Sequence, residues 1–423
     1  MQVREEITHY FRDSLLSRIT DIATDEGLLS GPADLENDRF INRSIIPHIV
    51  KLSDLFNRKS SLETDPELEP DLQAHYWKES SNPKNLKLAY MLQFLPTNAY
   101  RVASVFSELN RLGWTLPEGP TSWAEVGAGP GSGIIGALIA ESIPGRNLQL
   151  DQVALFEKNR QLLKTAEKLI RSVLNDRNLA AKKLFLNHGV IDLKSTWFPK
   201  SAKYDVIIAS YFLNEFTDSP RDVANSIRRN ANKHLKKDGI LVIVEPALKK
   251  YSRKLLEIRK ELIQKDGLKI LTPCLGHQAC GALAEMDDWC HEEVLWMRPQ
   301  VTRKIDRLTG LNSKSLSFSY LVISNSVADQ KKILTRLPGD TLRRLVSPAR
   351  ERKGILEFYT CGPDGKHRMR KSAEKISADK KTLLRREKKP IPTELERGDI
   401  IHATKFKSDQ NIEKTLRLET LLH

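Results

Sequence analysis

The sequence predicts an α/β fold with a doubly wound, mainly parallel sheet at its centre. Two observations carry this prediction. Short apolar runs typical of strands alternate with helical patterns, and a glycine-rich segment joins the first clear strand to a helix. The predicted strands are Ser122–Val126, Val153–Phe156, Leu184–Leu186, Tyr204–Ala209, Ile240–Val244 and Ser317–Ile323.

Residues 1–85 are predicted to form an N-terminal helical region with an acidic linker. Apolar residues between Ile7 and Ile22 recur in a helical rhythm. The stretch Glu63–Asp71 combines acidic residues with prolines, a composition typical of a loop. A further helix, Leu86–Leu112, begins the second predicted region, residues 86–330, which contains the sheet and a cysteine-bearing insertion at about 270–292.

Residues 331–423 are predicted to form a small, basic, β-rich C-terminal module. The chain carries 68 Lys and Arg against 54 Asp and Glu, a net charge of +14. Sixteen of the basic and six of the acidic residues lie between Arg343 and Lys389, around a strand-like segment, Gly354–Thr360, and a predicted hairpin at Gly362–Gly365. This pattern favours a nucleic-acid surface over a solvated face. The predicted contact residues are Arg343, Arg344, Arg350, Arg352, Lys353, Lys366, Arg368 and Arg370.

Membrane insertion and secretion are not expected. No run approaches the eighteen or so apolar residues that a membrane span needs. The first 25 residues carry several acids, whereas organelle transit peptides are poor in them. We expect a cytoplasmic, bacterial protein, or one of the mitochondrial matrix if the source is eukaryotic.

The glycine-rich segment Glu125–Gly133 predicts a cofactor loop. Glycines permit the sharp turn and the close approach of backbone to ligand that such a loop needs. A dinucleotide fingerprint would place a glycine at position 132, which is Ser132. The acidic strand end and the Gly-x-Gly-x-Gly spacing instead resemble S-adenosylmethionine-dependent methyltransferases. The alternative is a tight turn without a ligand. The predicted cofactor residues here are Glu125, Gly127, Gly129 and Gly131.

Acidic and amide residues after later strands extend the predicted site. Glu157 ends the second strand, where a carboxylate holds ribose hydroxyls in related folds, although it could simply open the next helix. Asp192, after the third strand, is a candidate for the adenine end. Asn214 and Glu215 follow the fourth strand and are catalytic candidates or helix caps. No cysteine precedes residue 274, which argues against a cytosine C5 methyltransferase.

Four cysteines concentrated in the C-terminal half predict a metal site, in preference to core filling or disulfides. Four thiolates suit a zinc ion or a four-iron cluster. The intervening gaps of five, nine and seventy residues include no tight zinc-type pair, but His277 and His291 could complete a mixed zinc site. Spacing alone leaves the metal open. The predicted ligands are Cys274, Cys280, Cys290 and Cys361.

Taken jointly, the motifs resemble a known family. These are Tyr90–Pro96, the glycine segment, Ala209–Phe216 and the cysteine segment ending at His291. Over about residues 85–400 they resemble the methyltransferase-like proteins of the small ribosomal subunit, which comprise mitochondrial ribosome assembly factors and their bacterial relatives. The chain departs from this family at Leu275 and Gly281, where prolines are expected after the first two cysteines.

The resemblance implies a Rossmann-like methyltransferase sheet, S-adenosylmethionine at the glycine loop, a 4Fe-4S cluster on the four cysteines and binding to small-subunit rRNA. The leading hypothesis is an RNA-binding assembly or translation factor that uses the methyltransferase fold as a scaffold and is monomeric off the ribosome. An active rRNA methyltransferase is the alternative. A zinc- or redox-regulated interaction protein unrelated to ribosomes is a third hypothesis.

Overall fold

A computed structural model describes most of the chain. The described residues are 5–61, 82–142, 148–189, 191, 197–199, 201–264, 268–276, 279–326, 342–372, 395–408 and 411–417. The predicted acidic linker, Asp192, His277, the boundary near residue 330 and most of the charged stretch before Lys389 lie outside these residues.

The helices fall into an N-terminal group and a group that flanks the central sheet. The N-terminal group is α1 (Glu5–Arg12), α2 (Ser14–Asp25), α3 (Asp38–Phe40), α4 (Ile46–Ser61), α5 (Pro83–Ala89) and α6 (Leu95–Arg111). The later helices are α7 (Ser132–Glu141), α8 (Arg160–Asp176), α9 (Pro220–His234), α10 (Lys249–Ile263), α11 (Gly281–Ala284) and α12 (Gln300–Thr309).

The central sheet is doubly wound, as predicted. Its strands are β1 (Thr121–Val126), β2 (Leu150–Glu157), β3 (Ala181–His188), β4 (Tyr204–Ser210), β5 (Leu235–Pro246), β6 (Lys269–Thr272), β7 (Glu292–Leu295) and β8 (Ser315–Ser324). Their order is β3-β2-β1-β4-β5-β8-β6, with β7 also on β8. The first five strands are parallel and β8 is antiparallel to β5. The strand order reverses between β1 and β4, the place where such sheets bind ligands.

A second sheet forms the C-terminal module. Its strands are β9 (Leu342–Leu345), β10 (Arg350–Arg352), β11 (Ile355–Gly362), β12 (Gly365–Ser372), β13 (Ile400–Ser408) and β14 (Asn411–Arg417). Because β9 pairs with both β13 and β11, five of these strands close into a small barrel, with β10 as an extension. The predicted hairpin is confirmed, since Gly362 pairs with Gly365 at its end. Leu345, Leu356 and Phe358 belong to the barrel's own core.

The N-terminal helices share a core with the central sheet. The side chains of α1 and α2 belong to the same buried cluster as α6, α7 and β1. The rings of Phe11 and Tyr100 meet edge to face at 5.1 Å between centroids, and Thr8 Oγ1 lies 2.9 Å from the Tyr100 hydroxyl. Helices α1 and α2 of the predicted N-terminal region are therefore packed into the same hydrophobic core as the sheet.

Arg344 connects the barrel to the rest of the molecule. It lies on β9 with only 2% of its surface exposed. Its guanidinium group forms ion pairs with Glu108 of α6 and with Glu292 of β7, the latter at 3.5 Å. It also donates to the Gly398 carbonyl at 3.2 Å. Three parts of the chain that are distant in sequence therefore share one buried cation.

The carboxylate of Glu108 is ionised in this network. Burial alone would raise the pKa of Glu108, but the guanidinium groups of Arg344 and Arg111 outweigh it and lower the pKa from 4.5 to about 2. A carboxyl pKa that is lower in the folded chain stabilises the fold above the unfolded value. That stabilisation is lost as the pH falls from about 4.5 towards 2.

Burial also corrects the predicted RNA surface. Arg343 and Arg344 were expected there, but both are buried, with 6% and 2% of their surface exposed. Arg343 forms an ion pair with Asp364, while Arg344 points between the two sheets. The prediction was wrong for these two residues because a count of charges does not show which of them face inward.

Among the described helices, none combines the length and apolar character that a bilayer crossing requires.

We predict that Arg344→Met destabilises the chain by about 3–5 kcal/mol. The change leaves Glu108 and Glu292 buried without their shared cation, and breaking a buried ion pair from one side costs about this much. Urea unfolding measures the loss. Arg352→Met, at an exposed position of the same sheet, is the matched control and should change stability by less than about 0.5 kcal/mol. Equal effects of the two variants would contradict the role given to Arg344.

Candidate functional site

The glycine loop lies between β1 and α7, at the reversal point of the sheet. Gly127, Gly129 and Gly131 have φ angles of +62°, +51° and +86°, which side-chain-bearing residues rarely adopt. A β-carbon at Gly127 would also lie 2.7 Å from the Phe212 ring. The loop therefore has the tight backbone that its sequence predicted.

Glu125 supports this loop from below. Its carboxylate is 1% exposed and accepts hydrogen bonds from the Gly133 and Ile134 amides at 2.8 and 2.9 Å. Burial raises the pKa of Glu125 to about 8, despite these two bonds. The side chain satisfies two of the free amides at the start of α7, as an N-terminal cap does. Both of its oxygens accept hydrogen bonds from the start of α7, so Glu125 holds the loop against this helix.

Glu157 lies at the carboxyl end of β2, beside the loop. One carboxylate oxygen accepts from the Gly129 amide at 2.8 Å and the other from the Asn159 amide at 2.7 Å. Burial raises the pKa of Glu157 above its ordinary value. Whereas Glu125 bonds only to the start of α7, Glu157 links the glycine loop to the start of α8 at the carboxyl edge of the sheet.

Tyr90 covers the loop from the N-terminal side. It begins a π-helical turn between α5 and α6, and its hydroxyl lies 3.9 Å from the position of a β-carbon on Gly129. Burial and the nearby charge of Glu157 raise its pKa above the ordinary value for tyrosine. Sequence reasoning placed this residue within a family motif but gave it no role in the site.

The opposite wall follows β4. Tyr211 has a φ of +56°, a strained value for a side-chain-bearing residue, and the Arg101 guanidinium lies 5.8 Å from its ring centroid. The Asn214 side-chain oxygen is buried and has no hydrogen-bond partner among the described residues. Glu215 is exposed and pairs with Lys158 at 3.2 Å. The two catalytic candidates thus differ, since Asn214 points inward and Glu215 lies at the surface.

Glu245 is a buried carboxylate that the sequence did not reveal. It is the last but one residue of β5 and accepts hydrogen bonds from the Leu213 and Asn214 amides at 2.8 and 3.2 Å. Burial raises the pKa of Glu245 to about 8. It holds the segment after β4 as Glu125 holds the glycine loop. Its position at a strand end, in Val-Ile-Val-Glu245, was the available signal.

All four cysteines line one cavity of about 50 Å³, several times the space that one water needs by the same measure. Cys274 follows β6, Cys280 precedes α11 and Cys290 precedes β7, while Cys361 comes from β11 of the barrel. Cys290 and Cys361, which are separated by seventy residues in the sequence, therefore come together because the barrel docks against the central sheet.

The four cysteines are half-buried and lie near one another. Burial, followed by the other cysteines, raises the pKa of Cys361 to about 12, and raises that of Cys290 well above its ordinary value. Burial lowers the pKa of His291, which also lines the cavity, to about 4. Within the described residues, no group of three or more His, Cys, Asp or Glu side chains is arranged to hold a single metal ion.

Two buried arginines border the cavity. Arg259 of α10 is 1% exposed and donates to the Gly276 carbonyl at 2.9 Å, and its charge partly opposes the effect of burial on the pKa of Cys274. Arg344 lines the cavity as well, so the barrel's connecting cation borders the cysteines. Positive side chains beside a group of thiols favour their ionised forms.

Gly281 permits the close approach of the cysteine loop to the barrel. A β-carbon at this position would lie 2.6 Å from Lys366 Cβ and 3.1 Å from the Lys366 amide nitrogen. A proline, expected here from the family resemblance, would bring such a carbon. The glycine at position 281, where the family resemblance leads us to expect proline, therefore allows the cysteine loop to contact β12 closely.

The remaining predicted RNA residues lie on β10, β12 and the turn after β10, on one face of the barrel. Arg350, Arg352, Lys353, Arg368 and Arg370 are exposed. Lys366 is half-buried, forms an ion pair with Asp288 and lines the cysteine cavity. These six residues, without Arg343 and Arg344, make up the basic face of the module.

Solved structures with distant similarity are methyltransferases. A mitomycin 7-O-methyltransferase is 17% identical with a TM-score of 0.33, and 60% of each chain is covered. A methyltransferase of Thiobacillus denitrificans in complex with S-adenosyl-L-homocysteine is 10% identical, with a TM-score of 0.30 and coverage of 53% of this chain and 91% of that one. An O-methyltransferase of Bacillus cereus is 10% identical, with a TM-score of 0.32 and coverage of 65% and 99%.

These similarities are weak, so the fold is defined by the strand order given above. No curated protein matches the sequence. A family model described as mitochondrial small ribosomal subunit Rsm22 matches residues 85–383, well over half of the 423 residues. The match confirms the resemblance seen in the motifs. The chain therefore belongs to the family of the mitochondrial small ribosomal subunit protein Rsm22.

Proposed function

We propose that this protein is an assembly or translation factor of the small ribosomal subunit, which binds rRNA through the basic face of its barrel. The observation that carries the proposal is the cysteine cavity, where the barrel supplies Cys361 and the methyltransferase-like unit supplies the other three thiols. The same junction fixes the barrel's exposed arginines relative to the sheet. The protein works wherever those ribosomes are made: the cytoplasm of a bacterium, or the mitochondrial matrix of a eukaryote.

A 4Fe-4S cluster is the group that best suits the cavity. Four thiols line one cavity, and four thiolates in so small a volume need several compensating positive charges. Zinc is the alternative occupant, and the cluster is proposed over it because the family resemblance implies a cluster and the cavity has four thiols. Cys274, Cys280, Cys290 and Cys361 would hold the cluster, which supplies covalent cross-links between the two units and, when redox-active, one electron.

S-adenosylmethionine is the proposed small-molecule ligand. The left-handed glycines, the carboxylate of Glu157 at the end of β2 and the hydroxyl of Tyr90 surround the same loop. Carboxylates at this strand end bind ribose hydroxyls in doubly wound sheets. Glu157 would bind the ribose, whereas Glu125 and Glu245 would hold the loops on either side. Asp192 stays a proposed adenine contact.

Replacing Arg350, Arg352 and Lys353 together by Ala should detach the protein from small-subunit precursors. Each phosphate contact releases counterions, so the wild type should lose RNA affinity steeply with salt, with a log–log slope of roughly −3 to −6 for four to seven contacts. The triple variant should flatten that slope. Filter binding at several salt concentrations and co-sedimentation measure both effects.

The matched control is Arg171→Ala together with Lys168→Ala, which removes exposed charges from α8 on the other unit. It should leave the slope and the co-sedimentation unchanged. If the barrel variant still co-sediments with wild-type salt dependence, the barrel is not the RNA surface and the proposal is wrong on this point.

Anaerobic purification should yield about four irons and an equivalent amount of sulfide per chain. Cys361→Ser and Cys280→Ser should both lose iron and increase protease cleavage within the barrel, because the ligands link the two units. Cys280 lies outside the barrel, so its variant separates cluster loss from damage to β11. Stoichiometric zinc without sulfide would refute the cluster.

Glu157→Ala should weaken S-adenosylmethionine binding by about tenfold or more in calorimetry. Loss of a charged hydrogen-bond partner costs about 1.5–3 kcal/mol, and 1.4 kcal/mol is tenfold in affinity. Asp151→Ala, which removes an exposed carboxylate near the other end of β2, is the control and should leave the affinity unchanged. Unchanged affinity in Glu157→Ala would exclude this residue from the site, and tight NADH binding would overturn the choice of cofactor.

An active rRNA methyltransferase is the second candidate, favoured by the strained Tyr211 and the unpaired side-chain oxygen of Asn214 at the end of β4. Strained residues and unsatisfied polar groups concentrate at functional sites. The same purified protein distinguishes the candidates. Transfer of a labelled methyl group to small-subunit RNA from a deletion strain, lost in Asn214→Ala, would establish the enzyme; binding without transfer supports the scaffold.

A further inference from the structure

Tyr359 is an aromatic side chain exposed on the basic face of the barrel. The side chain is 44% exposed. Among the exposed large hydrophobic residues of the described part of the chain, Tyr359 alone is aromatic. Along β11, side chains alternate between the barrel core and the surface, so Leu356 and Phe358 are buried while Ile355 and Tyr359 face outward. The Tyr359 ring is therefore accessible to a ligand at the surface of the barrel.

The strand holds Tyr359 firmly. Its amide donates to Ser347 Oγ at 2.8 Å, its carbonyl accepts from the Val346 amide at 2.9 Å, and it lies opposite Arg368 of β12. The Lys366 ammonium lies 5.1 Å from its ring centroid. The backbone that carries the ring is therefore held by hydrogen bonds before any ligand arrives, so binding requires no ordering of this strand.

Positive charge surrounds the ring. Arg350 and Arg352 lie on β10, and Arg368 and Arg370 on β12, on either side of β11. Glu357 lies between them and pairs with Arg368 at 2.8 Å and with Arg370 at 2.9 Å. Strands β10, β11 and β12 carry two acidic residues, Glu351 and Glu357, against six basic ones, a net charge of +4; the basic residues are Arg350, Arg352, Lys366, Arg368, Arg370 and Lys371. Such charge attracts a polyanion, whereas an exposed ring adds nothing to phosphate binding alone.

We infer that Tyr359 is a stacking platform for an unpaired RNA base, with the flanking arginines bound to the phosphates on either side. Proteins that bind single strands combine an aromatic stacking surface with a basic track in this way. Bases within a duplex are already stacked and cannot use an exposed ring. The inference rests on the proposed RNA function and specifies its ligand as a single-stranded segment.

The platform borders the cysteine cavity. Lys366 contacts the Tyr359 ring, lines the cavity and forms an ion pair with Asp288 of the cysteine segment. Lys366 also lies directly against Gly281, which follows Cys280. The position of the cysteine loop therefore sets the position of the cation beside the ring.

Fluorescence anisotropy with an unstructured RNA of about twelve nucleotides, and with a duplex of the same length, tests the platform. Tyr359→Thr keeps a strand-forming residue but removes the ring, and should weaken single-strand binding about tenfold while leaving the salt slope unchanged. Tyr359→Phe keeps the stacking surface and should bind nearly as the wild type does. Ile355→Thr is the matched control, since Ile355 is 43% exposed on the same strand and face; it should have no effect.

The outcomes separate the inference from the function it rests on. If the triple variant at Arg350, Arg352 and Lys353 loses binding but Tyr359→Thr does not, the platform is wrong and the RNA function stands. Equal losses for single strand and duplex, or a loss in Tyr359→Phe, would also overturn stacking. If the wild type binds neither RNA, the function and the platform fall together.

Discussion

The buried cation of Arg344 is the interaction on which the two-unit architecture depends. It is charged, it lies on a strand of the barrel, and its partners Glu108 and Glu292 belong to the N-terminal helices and the central sheet. An isolated charge is very costly to bury, so the burial of these three side chains is favourable only when β9, α6 and β7 are packed together. The network therefore makes the docking of the barrel conditional on correct folding elsewhere. Apolar contacts alone, being non-directional, would not select one orientation as strongly.

The cysteine cavity lies beside this network and depends on it. Cys361 pairs with Arg344 across β11 and β9, and with Lys366 across β11 and β12. The strand that carries the fourth thiol is thus fixed by the same contacts that orient the buried arginine. The short distance between Gly281 and Lys366 brings the cysteine loop against this strand. Under the proposed function, a cluster in the cavity would complete a junction that charge pairing has already positioned.

Three similar glutamates hold different loops at the carboxyl edge of the central sheet. Glu157 is the last residue of β2, and Glu125 and Glu245 are the last but one residues of β1 and β5. Each accepts two backbone hydrogen bonds at the carboxyl edge of the sheet. Glu125 and Glu245 are almost fully buried and their carboxylates hold the loops that follow. Glu157 borders the glycine loop and Tyr90. Carboxylates that look equivalent along a strand pattern therefore serve different purposes according to the loops they contact.

The central sheet, the glycine loop, the β11–β12 hairpin and the family could be predicted from the sequence, because they depend on local periodicity and on short motifs whose backbone requirements only certain residues meet. The four cysteines could also be grouped in this way, although their spacing did not choose a metal. The burial of Arg343 and Arg344, the core shared by the N-terminal helices and the sheet, and the approach of Cys361 to the other three thiols became visible in the folded chain alone. The folded chain also revealed Glu245 and the exposed ring of Tyr359. These features depend on contacts between distant segments, and neither charge counts nor hydrophobic patterns show which side chains will meet.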